Sequence, residues 1–391
     1  MSVDEGIYLD YAAATPVGEQ VLEAMLPYFS QDFANPSASY APARQVHASV
    51  EDARARIAHL IGGKPANIVF TAGATEANNL ALTAAVPGAH VIASAIEHAS
   101  MRSCVSAREN GSFVPVDAQG FVSPDALKAT IRPDTEFVSI ALANGEIGTI
   151  QPLRELAQVV DDERARRLAA GDMRPIYLHT DASQAAALKT LNVSSLGADL
   201  VTVSAAKMYG PKQMGLLWVR SGIELRPLVC GGGQEAGLRS GTENVPGIIG
   251  FARAFELARE RREDEAKRLR ELRDWLQVTL TTAFADAVVA GPTRDAQRLD
   301  NLLHISFPGL LARRLVISLD QRGVYVGTGS ACAASKMTVS PVLEAIGAPP
   351  EVAEGSVRIT LGRDTTREQV ERAAQVIIEV VRVEYERVGS R

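Results

Sequence analysis

Cysteine is scarce in this chain: Cys104, Cys230 and Cys332 are the only three in 391 residues. So sparse and odd a set builds no disulfide framework, and no C-x-x-C pair offers zinc-ligand spacing, so no metal site is expected. A cytoplasmic, reducing location is the expectation from that usage. A strong charge of either sign is also missing, since 40 Lys and Arg stand against 46 Asp and Glu, for a net charge of −6. A mildly acidic chain is a poor non-specific binder of nucleic-acid phosphates or an anionic membrane, so neither is expected as a direct partner. No apolar run reaches the roughly 18–20 residues of a membrane span, and the acidic start lacks a secretory pattern. Internal repeats and low-complexity tracts are absent, as is any G-x-x-x-x-G-K-[ST] phosphate loop.

What remains is an ordinary folded composition, 46% hydrophobic and 22% charged, with a length that suits two domains. The first two-thirds alternate short apolar runs with helical patterns, the mark of an α/β sheet. Thr15-Pro16 reads as the cap and first residue of a helix with Val21, Leu22, Met25 and Phe29 on one face. A longer helix is expected over Arg44 to Ile61, stopped by Gly62-Gly63, and another over Ala74 to Ala85. Buried strands are expected at 68–70, 90–93, 137–143, 176–179, 200–203 and 216–219. A helix dense in Arg, Glu, Ala and Leu, 251–281, leaves this first unit. Beyond it, strands at 302–307 and 357–361 and helices at 313–321 and 367–387 predict a compact α+β unit.

Five segments carry chemistry. The run Ile68–Asn79 ends a strand in a small-residue turn at Gly73 and starts a helix near Ala74-Thr75. Free N–H groups at the helix start suit a phosphate, although a plain capping turn has the same pattern. Asp181 follows an apolar strand, where it either caps a helix at Ala182 or points into the crevice where α/β sheets bind ligands. Gln184 lies close enough in sequence to reach the same ligand. Lys207 follows another buried strand among small residues. There it is either a snorkelling surface lysine or a desolvated amine able to form a Schiff base. Gly231–Thr242 imitates a dinucleotide fingerprint at Gly231, Gly233 and Ala236, but no helix follows at once, so it reads as a loop offering Arg239 and Thr242 to an anion. Cys332 sits in a Gly/Ser/Ala-rich stretch beside Lys336 and reads as a reactive thiol, whereas Cys104 and Cys230 read as packing thiols.

The order of these pieces resembles the pyridoxal-phosphate cysteine desulfurases of the NifS/IscS type, in the class V, fold-type I family. The resemblance runs nearly end to end. It covers Tyr8-Leu-Asp-Tyr-Ala-Ala-Ala-Thr-Pro16, Asn35-Pro-Ser37, Phe70-Thr-Ala-Gly-Ala-Thr-Glu76, Glu97-His98 and Asn144-Gly-Glu-Ile-Gly148. It continues through Asp181-Ala-Ser-Gln184, Lys207-Met-Tyr-Gly-Pro211, Arg239-Ser-Gly-Thr-Glu-Asn244, Gly329-Ser-Ala-Cys332 and Arg358-Ile-Thr-Leu-Gly-Arg363. The Cys332 setting is similar to the branch with the longer catalytic loop, since the other branch's Arg-x-Gly-x-His-Cys-Ala pattern is absent.

The resemblance implies a large domain, 16–260, around a mainly parallel seven-stranded sheet. It also implies a small α+β domain of 1–15 with 261–391, carrying the cysteine loop at about 326–341. It implies pyridoxal 5'-phosphate bound covalently to Lys207, paired with Asp181 at the pyridine nitrogen and stacked under His98. Ala74, Thr75 and Ser204 would hold the phosphate together with Thr242 of a homodimer partner; Asn144 and Gln184 would reach the ring's 3-oxygen side. Asn35, Asn144 and Arg358 would bind L-cysteine, with Arg358 gripping its carboxylate. Cys332 would take the sulfur as a persulfide, release L-alanine and pass sulfur to an acceptor protein for iron–sulfur assembly or thiolation. The chain departs from the family pattern at Ala206, where a His commonly precedes the lysine, and at Tyr40, Gly145 and Gln213, where His, Asn and Gly are usual. These departures keep two alternatives open, another lyase on the same cofactor such as selenocysteine lyase, and a weakly active scaffold homologue.

Overall fold

A computed structural model describes residues 6–329 and 340–389. Cys332 and Lys336 lie outside the described residues. The described chain starts with a short strand β1 (Ile7–Tyr8), and then a seven-stranded sheet forms from β2 (Ile68–Thr71), β3 (His90–Ser94), β4 (Gly111–Val114), β5 (Thr135–Ser139), β6 (Tyr177–Asp181), β7 (Leu200–Ser204) and β8 (Gly215–Val219). Its order is β2-β8-β7-β6-β5-β3-β4. The β4-β3-β5-β6-β7 run is parallel, and β8 lies antiparallel between β7 and β2. Parallel strands need helical crossovers on both faces, which is why these strands read as nearly continuous apolar runs. Alternate residues serve the two faces: Ile68, Phe70, Ile92 and Val138 enter one core, and Val69, Val91, Ala93 and Phe137 enter the other.

A second group of strands follows: β9 (Val288–Val289), β10 (Leu302–Ser306), β11 (Val324–Tyr325) and β12 (Ser356–Thr360). The antiparallel trio runs β12-β10-β9, while β11 pairs with β1. A separate core joins Ile7 and Leu9 to Leu269, Leu276, Leu303, Ile305, Ile359 and Ile377. The helix Val245–Ala283 spans both cores, contributing Phe251 and Phe255 to the first and Leu272 and Leu280 to the second. Among the described residues no helix is long and apolar enough to cross a membrane.

Several local expectations are corrected. Thr15 caps no helix; the first helix is Glu19–Met25 with Gly18 at its cap. Thr15 instead accepts from the Tyr209 N–H and donates to the Ala206 carbonyl, fastening the N-terminal segment to the lysine turn. Of the face expected there, Val21 and Met25 are buried, whereas Leu22 and Phe29 are exposed. The helix from Ala74 ends at Ala81 and tightens into a 3₁₀ turn over Leu82–Ala84. The strand expected over 137–143 stops at Ser139, and β4, whose sequence Gly-Ser-Phe-Val has little apolar signature, was not expected. No helix starts at Ala182, since Asp181 ends β6 and a turn follows. Cys104 is half-buried, but Cys230 is exposed and does not serve packing.

Candidate active site

The carboxyl ends of the central strands carry several of the predicted residues. β6 delivers Asp181, which is buried; Oδ1 accepts from the Ser183 N–H at 2.9 Å and Oδ2 from Asn78 Nδ2 at 2.9 Å. Two residues back on the same strand face, His179 is clamped between Ser139 Oγ and Thr202 Oγ1, and burial pushes it down to about 4. It therefore stays neutral beneath Asp181.

β7 ends at the nearly buried Ser204, and a 3₁₀ turn over Ala205–Lys207 places the lysine. Lys207 Nζ donates to the Ala12 carbonyl at 2.8 Å and the Ala13 carbonyl at 2.5 Å. Gln184 Nε2 donates to that same Ala12 carbonyl at 3.1 Å. Ala206, in place of a histidine, leaves only its carbonyl to the site, and Thr15 takes it.

His98 is accessible to water and yet densely surrounded, the combination expected of a ring on the wall of a cleft. Desolvation holds its imidazole below the ordinary value, against the pull of Asp181, and Lys207 and Arg358 add to the lowering. Glu97, next to it, is fully buried, and desolvation raises it to about 8; Asp181 adds to that, while the Ala141 N–H it accepts works against it.

Arg358 comes from β12 in the second group of strands. Its Nη2 meets Asp10 Oδ1 at 2.7 Å, its Nη1 donates to the Gly145 carbonyl at 3.1 Å, and its Nε is buried without a partner among the described residues. Directly opposite on β10, His304 is pushed down to about 3 by burial and by Arg358, so it adds no charge beside the guanidinium. Asn144 folds inward: Nδ2 donates to the Ile96 carbonyl, and Oδ1 accepts from the Glu146 and Ile147 N–H groups. The Gly145 departure has a spatial reason, because a Cβ there would stand 2.7 Å from Gln184 Nε2.

At the other end, the helix Ala74–Ala81 begins after Gly73 (φ 103°) with no side-chain cap, and a Cβ built at Gly73 meets nothing within 4 Å. Gly215, the β8 partner of Ser204, approaches Gly73 so closely that a Cβ would lie 2.7 Å from the Gly73 carbonyl carbon. The end of β7 at Ser204 and the start of the helix at Ala74 are thus neighbours, through Gly215 and Gly73. Thr242 is exposed and lines a cavity of about 250 Å³ with Thr71, Ala72, Met214 and Asn244. Arg239 is less available than its loop suggested, since its Nε donates to Glu76 Oε1 at 3.0 Å. Asn35 is exposed and accepts from the Ser37 N–H, and no described bond joins it to Arg358 or Asn144.

The sequence reading missed Asp10, Asn78 and Ser100, all of which hold predicted site residues. Asn78 was within reach, since it lies one helical turn beyond Ala74 and so on the same face. Asp10 is a non-local partner with no such signal.

Comparison with known proteins identifies the family. The family model Aminotransferase class-V matches residues 7–373. "Cysteine desulfurase IscS" of Dictyoglomus turgidum is 41% identical, covering 96% of this chain and 94% of that protein. "Cysteine desulfurase IscS 1" of Archaeoglobus fulgidus is 40% identical, covering 96% of each. Among solved structures, a "NIFS-like protein" has TM-score 0.87 at 33% identity, over 97% of this chain and all of that one. "SspA in complex with cysteine" has TM-score 0.75 at 32% identity, over 90% and 98%. Matched from strand β1 into the last helix, the chain belongs to the class V aminotransferase family, in its NifS/IscS branch.

Proposed function

We propose that this chain is a pyridoxal-phosphate-dependent cysteine desulfurase that converts L-cysteine to L-alanine and carries the sulfur as a persulfide on Cys332. The observation that carries the reading is that Asp181, Lys207 and Arg358, from separate elements, all lie close enough to His98 to act on its charge, with Asp181 tied to His98 through Asn78 and Ser100. The residues fit the cofactor. The uncapped helix start at Ala74-Thr75 and the open space at Gly73 suit its phosphate, with Ser204 beside them. Ser183 Oγ, next to Asp181, and Arg358 Nε are buried and have no partner among the described residues, which suits polar contacts to a ligand. Thr242, exposed, would serve the phosphate of a homodimer partner.

When bound, pyridoxal phosphate supplies an electron sink for charge that develops at the substrate Cα. Asp181, held by Ser183 and Asn78, is the anion that would face the pyridine nitrogen. Asn144 and Gln184 border its 3-oxygen side. Arg358 would grip the substrate carboxylate through the Nε edge that no described residue uses, a charge-assisted contact that fixes the Cα. Lys207, parked on the Ala12 and Ala13 carbonyls, would bind the cofactor and, once released, move the Cα proton. The Cys332 thiolate would attack the substrate sulfur, breaking the Cβ–S bond and forming an S–S bond, and L-alanine would leave after protonation. The persulfide would pass to an acceptor protein of iron–sulfur assembly or thiolation in the cytoplasm. The division into 16–260 and 1–15 with 261–391 belongs to this reading, with Arg358 reaching the site from the smaller unit.

The test is product analysis of the holoenzyme with L-cysteine and a reductant. The expectation is L-alanine from the native protein and none from Lys207→Ala. Pyruvate as the product would instead assign a different lyase reaction to the same site.

A further inference from the structure

Asp181 and His98 are joined through two side chains, Asn78 and Ser100. Asn78 is fully buried in the helix Ala74–Ala81. Its Nδ2 donates to Asp181 Oδ2 at 2.9 Å and to Ser100 Oγ at 2.8 Å, while its Oδ1 is buried without a partner among the described residues. The amide orientation follows from charge, because the flipped form would set Oδ1 against the carboxylate. Both amide protons are thereby committed.

Ser100 Oγ, having accepted from Asn78, keeps one proton to give, and His98 Nδ1 lies 2.8 Å away. The Ser100 backbone N–H, which can only donate, points to that same Nδ1 at 3.1 Å. Nδ1 must then present its lone pair, and in the neutral ring the proton sits on Nε2. Desolvation, Lys207 and Arg358 all favour the neutral ring. No hydrogen bond from a described residue reaches Nε2.

We propose that Asn78 and Ser100 are positioning residues that fix His98 in its Nε2–H tautomer, so that His98 meets the reacting groups as a hydrogen-bond donor and leaves the Cα proton to the Lys207 amine. The tautomer stands on the chain's own bonds; its consequence for the Cα proton rests on the desulfurase reading. One Asn78 amide thus serves two tasks, stabilising the Asp181 anion and, through the Ser100 hydroxyl, orienting His98.

The test labels histidine with ¹⁵N and reads the His98 tautomer by two-bond ¹H–¹⁵N correlation in the cofactor-free chain. The native protein and Ser100→Thr should show Nε2–H. Ser100→Ala and Asn78→Ala keep the backbone N–H at position 100, so both should retain Nε2–H as the major form but show a measurable Nδ1–H minority that the native chain lacks. In the holoenzyme, Ser100→Ala should lower kcat for L-alanine about tenfold, the size of one lost neutral hydrogen bond, with Ser100→Thr restoring it. An Nδ1–H tautomer in the native chain overturns the proposal, as does a pure Nε2–H form in both Ser100→Ala and Asn78→Ala. The native spectrum decides even if a variant fails to fold. An Nε2–H tautomer with no L-alanine from the native enzyme would count against the desulfurase reading and leave the Asn78–Ser100 relay standing. The reverse pattern would do the opposite.

Discussion

Gln213 holds φ at 57°, a left-handed backbone that a side chain with a Cβ adopts at a cost of about 1–2 kcal/mol. Glycine escapes that cost but loses more entropy on folding, so Gln213→Gly should stabilise the chain by about 0.5–1 kcal/mol, read as a raised Tm. A β-branched residue there should lower it. Glu97 gives a second residue-scale prediction. Its folded value of about 8 exceeds its ordinary 4.5, so between those values the folded chain holds a proton that the unfolded chain has released. Stability should therefore fall as pH rises across that window, by at most about 1.4 kcal/mol per pH unit. Glu97→Gln should remove this component, which denaturant titrations at several pH values would read. At this scale the sequence was legible where a residue type stands out from its surroundings, as with Lys207 among alanines or Asp181 after an apolar strand. Asp10 and Glu97 were not legible as site partners, because their roles come from burial and from contacts across the fold. Asp10 and Arg358, 348 positions apart, share no local pattern.

The loop 231–242 shows what single elements require. It has little regular structure, yet Glu235 lies at its centre with φ 50° and is gripped by Arg54 at 2.8 and 2.7 Å, while also accepting from the Phe70 N–H. Arg54 lies over the Phe70 ring, and both ionised side chains are nearly buried. Together with Arg239–Glu76, this pair pins the loop that bears Thr242 to β2 and the helix Ala74–Ala81. Removing one partner of a buried pair leaves a poorly compensated charge, so Glu235→Ala should cost about 3 kcal/mol in a denaturant melt, and Glu235→Gln less. Long helices and apolar strands were legible because their periodicity is strong; Arg367–Arg387 begins and ends as expected, aided by the Thr366 capping box. The Thr15-Pro16 start failed because Thr15 found better partners in the lysine turn, and β4 failed because an edge strand of mixed polarity lacks a periodic signal.

For the molecule as a whole, two cores joined by the helix Val245–Ala283 bring Arg358 from one group of strands to Lys207 and Asp181 from the other. A ligand that binds this site only when the chain is folded must stabilise the whole molecule. Pyridoxal phosphate at about a hundred times its Kd should add about 2.7 kcal/mol, seen as a higher Tm, and Lys207→Ala should keep only part of that gain. The α/β class and the central sheet were legible from the alternation of patterns, and the site from residues at strand ends. The second core was less so, since its strands β1, β9 and β11 are two residues long and are defined by their pairing. The central claim is that sulfur leaves L-cysteine for one thiol of this chain. The most direct test is a single turnover of the holoenzyme with L-cysteine, followed by peptide mapping of the added sulfur and quantification of L-alanine. The account predicts one extra sulfur on the Cys332 peptide, one L-alanine for each, and neither in Lys207→Ala. Sulfur on Cys104 or Cys230, or undiminished L-alanine from Cys332→Ala, would contradict it.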